Sequence, residues 1–133
     1  MTIRIVFADD DEPYRRMLRA AFAMLPEFEV VGEARDGEEA VRLALGGDAD
    51  AVLLDVEMPV MDGFVAAEEI RRARPEARLL LHTGELLEER RARARELDLV
   101  LLDKLQVYRT IGLLSPATVS PDGHATPVPP SPQ

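Results

Sequence analysis

The sequence predicts an α/β domain in which a five-stranded parallel sheet carries helices on both faces. Two observations carry this expectation. Five short apolar runs alternate with five segments whose apolar residues recur at helical spacing. The 133 residues are enough for one domain with a sizeable core.

The elements follow in order. "IRIVFA" (Ile3 to Ala8) reads as a first strand buried on both faces. Pro13 suits the first turn of a helix, and Met17, Leu18, Ala21, Phe22 and Leu25 then recur at helical spacing. "FEVVGEA" is the second strand, and Asp36-Gly37 turns into the helix "EEAVRLAL", which Gly46-Gly47 ends. "AVLLD" is the third strand, and "FVAAEEIRRAR" a helix that stops before Pro75. "ARLLLHT" is the fourth strand, followed by the strongly charged helix "ELLEERRARAREL". "LVLLD" and the short helix "LQVYRTIGLL" complete the set. Residues 1–114 therefore read as the folded domain. Residues 115–133 hold six of the ten prolines and few large apolar side chains, so a disordered tail is expected there.

Composition narrows the function. Without cysteine, disulfides and thiolate metal sites are excluded. His82 and His124 are too few for an imidazole-built zinc site. A net charge of −9 argues against a nucleic-acid surface, and no apolar run approaches the ~20 residues of a membrane span. A cytoplasmic location is expected. Fifteen of the sixteen basic residues are Arg, and the single Lys is Lys104. A compact ammonium on a flexible stem is the property that Arg cannot supply.

Open parallel sheets bind ligands beyond the carboxyl ends of their strands. The first strand ends in Asp9-Asp10-Asp11, the third in Asp55, the fourth in Thr83 and the fifth in Asp103-Lys104. In the doubly wound, flavodoxin-like order 2-1-3-4-5 these ends converge. Crowded carboxylates raise one another's pKa values unless a cation relieves them. Mg²⁺ suits such oxygens and shares those of a phosphate. The set therefore fits a phosphoryl group, with a carboxylate as nucleophile that becomes an aspartyl phosphate. Helix caps and an ordinary turn threonine are the plainer readings of the same residues, and His82 reads as a half-buried sheet residue.

"ADDDEPYRRML", "LLDVEMPVMDG", "LLLHTG" and "LLDK" together make residues 3 to about 114 resemble the receiver domain of bacterial two-component response regulators. The resemblance implies that Asp55 accepts a phosphoryl group from a histidine kinase or phosphotransfer protein. It gives Mg²⁺ to Asp9, Asp10, Asp55 and the backbone carbonyl of Glu57, makes Thr83 the switch hydroxyl, and has Lys104 bind the phosphate. Catalysis would be limited to self-phosphorylation and autodephosphorylation. Output would be protein contact through the fourth helix, fifth strand and fifth helix, with a second copy of the chain as a further candidate partner. No DNA-binding or enzymatic output domain follows, which suggests a stand-alone receiver. Leu101 departs from the family, which usually has an aromatic there, and Leu105 replaces the common Pro after Lys104. Two alternatives stay open. One is a phosphorylation-independent binding module. The other is a haloacid-dehalogenase-type phosphatase, with Asp9 of "IVFADDD" as nucleophile and Asp11 as acid/base.

Overall fold

The computed structural model describes residues 2–114, so the expected tail lies outside the described residues. Five strands, β1 (Ile3–Ala8), β2 (Phe28–Ala34), β3 (Ala51–Asp55), β4 (Arg78–Thr83) and β5 (Val100–Asp103), form one sheet in the order β2-β1-β3-β4-β5. All four pairings are parallel. Five helices, α1 (Glu12–Ala23), α2 (Gly37–Gly46), α3 (Gly63–Ala73), α4 (Glu88–Glu96) and α5 (Val107–Leu114), alternate with the strands. The fold class and strand order are those the sequence predicts.

Strand side chains alternate between two apolar layers, as the two-residue strand period requires. Val6, Ala8, Val52, Leu54 and Leu81 face α2 and α3, where Ala40, Ala44, Phe64, Ala67 and Ile70 meet them. Ile5, Phe7, Leu53 and Leu80 face α1 and α5, against Leu18, Phe22, Ile111 and Leu114. Burial on both faces explains the nearly unbroken apolar strand runs.

Asx caps set three helix starts at the carboxyl edge of the sheet. The side chains of Asp11, Asp36 and Asp62 accept from the backbone N–H of Tyr14, Glu39 and Val65. Two helices differ from the sequence reading. The fourth begins at Glu88, three residues late, because the Glu85 carbonyl is already engaged by Thr83, Arg90 and the Leu87 N–H in a local turn. The fifth is preceded by a 3₁₀ turn, Lys104–Gln106. In α1, Met17 faces solvent, and Arg15 takes a buried place that helical spacing assigned to no one.

Gly63 marks a close backbone approach at the edge. A Cβ there would stand 2.2 Å from the Asp55 carbonyl oxygen, whereas one on Gly46 would meet nothing within 4 Å. Gly63→Ala is expected to cost about 1–3 kcal/mol through overpacking. Gly46→Ala should be neutral or stabilising by up to ~1 kcal/mol. Urea-unfolding midpoints of the two variants check this, and equal midpoints would contradict the close approach.

Candidate functional site

Asp9 is the most constrained polar residue at the carboxyl edge. It is wholly buried. Its Oδ1 accepts from the Asp11 N–H at 2.9 Å, and its backbone carbonyl accepts from Arg15 Nη1 at 2.7 Å. Its Oδ2 faces the Lys104 ammonium at 2.6 Å. The same ammonium lies 3.3 Å from Asp55 Oδ2, so a single cation bridges the ends of β1 and β3.

Lys104 is itself framed by Tyr14. Its Nζ sits 4.9 Å from the centre of the Tyr14 ring, and the Tyr14 hydroxyl donates to the Lys104 carbonyl at 3.0 Å. Burial raises the Tyr14 pKa, and Asp9, Asp55 and Asp103 push it further up, so the phenol stays a donor. Burial works against the Lys104 charge, but the hydrogen bond to Asp9 and the nearby carboxylates outweigh it and raise its pKa.

Asp55 is only 4% exposed. Burial pushes its carboxyl up to about 7, Asp9 adds to the rise, and Lys104 opposes it without cancelling it. The carboxyl group is thus poised between its two forms near neutral pH. The oxygen-rich set suits a hard divalent cation, and the incomplete compensation of Asp55 is the physical sign that the site has room for more positive charge. Asp10 and Glu57 are exposed beside it and line an open cleft of ≈ 670 Å³ that continues to Arg90 and Arg93.

Thr83 is buried but points its hydrogen bonds elsewhere. Its hydroxyl donates to the Glu85 carbonyl at 3.1 Å and accepts from the Glu85 N–H at 3.2 Å and from Arg90 Nη1 at 2.8 Å. Arg90 Nη2 reaches Glu57 Oε1 at 2.5 Å. A Cβ on Gly84 would meet nothing within 4 Å, so the space beside Thr83 is open.

The structure therefore brings Asp9, Asp55 and Lys104 together and turns Thr83 toward α4. Sequence reasoning missed three participants. His82 is wholly buried, not half-buried, because its register partner is Asp55 and its ring lies under the edge of Tyr14. Its Nε2 is 3.5 Å from Asp9 Oδ2, and Asp9, Asp55 and His82 place potential ligand atoms within 4.8 Å of one another. Burial, helped by the Lys104 charge, lowers its pKa to about 3, so it is neutral. Arg15 and Arg90 were invisible among fifteen arginines, since spacing does not reveal which guanidinium turns inward.

Known proteins resemble this chain throughout the described region. The family model for the response regulator receiver domain matches residues 5–104. The signal receiver domain of the putative response regulator NarL from Mycobacterium tuberculosis superposes with a TM-score of 0.74 at 28% identity, covering 83% of this chain and 93% of that one. The transcriptional regulatory protein LiaR of Bacillus subtilis is 39% identical over 82 residues, 62% of this chain and 39% of LiaR. Protein-glutamate methylesterase/protein-glutamine glutaminase 4 of Hahella chejuensis is 40% identical over 75 residues, 56% of this chain but only 19% of that protein. The chain thus spans a minor part of the curated relatives it matches.

The buried acids have a pH signature. Asp55 titrates near 7 in the fold and near 3.8 when unfolded, so the native state holds the extra proton between these values. Its contribution to stability therefore falls as pH rises from about 4 to about 7. His82 works in the opposite sense, since a native value of about 3 against 6.5 makes stability rise with pH across that interval. In EDTA the two slopes largely offset between pH 4 and 6.5. Asp55→Asn should leave the rising slope exposed, and its advantage over wild type should grow by up to about 1.4 kcal/mol per pH unit. Urea unfolding at pH 4.5, 5.5, 6.5 and 8 checks this. A constant difference across pH would show that Asp55 is not held protonated.

Proposed function

The chain belongs to the response regulator receiver domain family, and on that premise we propose that Asp55 is its phospho-acceptor, loaded by a histidine kinase or a phosphotransfer protein. It is a two-component response regulator receiver, a signalling domain in which any enzymatic activity of longer relatives resides in other parts of those proteins. The observation that carries the assignment to Asp55 is the Lys104 ammonium, 3.3 Å from its carboxylate and anchored on Asp9.

In this reading Asp55 attacks the phosphorus of a phosphohistidine. The new P–O bond forms as the P–N bond breaks, and the electron pair leaves with the imidazole. Lys104 stays within reach of the added oxygens and follows their negative charge. Thr83, one strand over, offers its hydroxyl to a phosphoryl oxygen. Asp9, Asp10, Asp55 and the main-chain carbonyl of Glu57 would hold Mg²⁺, which supplies charge neutralisation of the transferring group. His82, neutral and 3.5 Å from Asp9 Oδ2, adds no charge beside that carboxylate. Asp9 itself is wholly buried under Lys104, a poor place for a nucleophile, which counts against the phosphatase alternative.

The same reading assigns output to the surface of α4, β5 and α5, where Leu87, Val100 and Leu105 are exposed apolar residues. A downstream protein, or a second copy of the chain, would dock there. The receiver unit is residues 1–114, working in the cytoplasm. Among the described residues no helix is long and apolar enough to cross a membrane.

Intact mass after incubation with acetyl phosphate tests the assignment. Wild type should gain one phosphoryl group only with Mg²⁺, and Asp55→Asn none. Lys104→Met should slow the reaction roughly 10²-fold through loss of a charge at the developing oxygens. An adduct that persists in Asp55→Asn would mean that another carboxylate is the acceptor.

A further inference from the structure

We propose that Arg90 is a positioning residue that couples the phosphorylation state of Asp55 to α4, by holding Thr83 and Glu57 together until a phosphoryl group arrives. The inference rests on Asp55 being the acceptor.

The geometry begins with the hydroxyl inventory. A threonine oxygen has one proton to donate and two lone pairs to accept with. Here all three are used, by the Glu85 carbonyl, the Glu85 N–H and Arg90 Nη1. Thr83 therefore has nothing left for Asp55. To donate to a phosphoryl oxygen it must withdraw its proton from Glu85, and to approach Asp55 it must leave the guanidinium. Both losses fall on the first turn of α4 and the turn before it.

Arg90 also spans the site mouth. Nη1 holds Thr83 and the Glu85 carbonyl, while Nη2 holds Glu57, two residues beyond Asp55. The planar fork suits this double duty, and the side chain is only 16% exposed, so the contacts are partly shielded from water. One residue on α4 thus touches both loops that flank the acceptor. Leu101, where the family usually carries an aromatic, is packed with the α3-side apolar layer and offers no polar group to this exchange. The guanidinium supplies a connection between site and helix that the aliphatic side chain does not.

The contacts favour the unphosphorylated arrangement. Removing them shifts the population toward the state in which Thr83 is free to turn, so an anion that selects that state should bind more tightly. Beryllofluoride, which mimics a phosphoryl group on a carboxylate, is the probe, used with Mg²⁺ on the full chain and followed by ¹⁹F NMR. Arg90→Met keeps the stem and removes the donors. It should bind beryllofluoride roughly 3–10-fold more tightly than wild type. Hydrogen exchange in residues 85–96 should change on beryllofluoride addition in wild type and much less in the variant. Arg90→Lys, a point charge without the fork, should fall between the two.

Equal affinity in Arg90→Met and wild type would overturn the proposal. Weaker binding would overturn it as well, by showing that Arg90 contacts the anion directly. If wild type binds no beryllofluoride, or Asp55→Asn binds it equally well, the assignment of Asp55 fails first and the coupling falls with it.

Discussion

Everything at the functional edge depends on one ammonium shared by two buried carboxylates. Asp9 and Asp55 stand at the ends of adjacent strands, and the only lysine in the chain lies between them, closer to Asp9. Asp9 also takes an N–H from Asp11, so it has two sources of compensation where Asp55 has part of one. This asymmetry divides the labour. Asp9 fixes the cation in place, and Asp55 keeps a carboxyl group that is neither fully charged nor committed to a partner. An arginine at position 104 would have to fit a rigid planar fork between the two acids and under Tyr14, which explains why a chain otherwise built with arginine keeps one lysine here.

The fold supplies the rigidity that this arrangement needs. β1, β3 and β4 are packed on both faces, so their ends at the site cannot drift without opening an apolar layer. The loop after Asp55 is pinned on both sides, by Val56 N–H to the His82 carbonyl and by Gly63 N–H to the Val56 carbonyl. Inside it, Val60 at φ 72° sits at the centre of a turn closed by Met61 N–H and the Pro59 carbonyl. A branched residue at positive φ is costly and persists only where its surroundings dictate it. Pro59 on one side and the Asp62 cap on the other do so here, and the loop that carries Glu57 is thereby held in a single path.

Most of this was legible in the sequence. Unbroken apolar runs could only be strands covered on both faces, and the acids and the lysine had to meet once the strand order was known, although the threonine beside them turns toward α4. What escaped the sequence reading is equally physical. His82 looked ordinary because nothing in a one-dimensional pattern says that a histidine is aimed at a carboxylate below the sheet edge. Arg15 was lost because a buried guanidinium on an amphipathic helix breaks the apolar stripe without announcing its partner, here the Asp9 carbonyl. The start of α4 was placed too early because the competition for the Glu85 carbonyl comes from Thr83 and Arg90, one of them from a neighbouring strand.

That competition also explains where movement can originate. Of the residues in α4, only Ala94 is buried, so little apolar area ties the helix to the sheet. Its mounting is largely polar. At one end Arg71 donates to the carbonyls of Leu97 and Asp98, just past the helix. At the other end Arg90 ties its first turn to Thr83 and Glu57. α3, by contrast, buries Phe64, Ala66, Ala67 and Ile70. Moving α3 would open the core, whereas moving α4 requires chiefly that polar contacts change partners, those at its ends and that of Arg93 with Asp62 and the Phe64 ring. Under the proposed coupling, a small displacement of the Thr83 hydroxyl would be converted into motion at a helix with a weak hold on the core, and the tightly packed remainder of the domain would serve as the frame against which it moves.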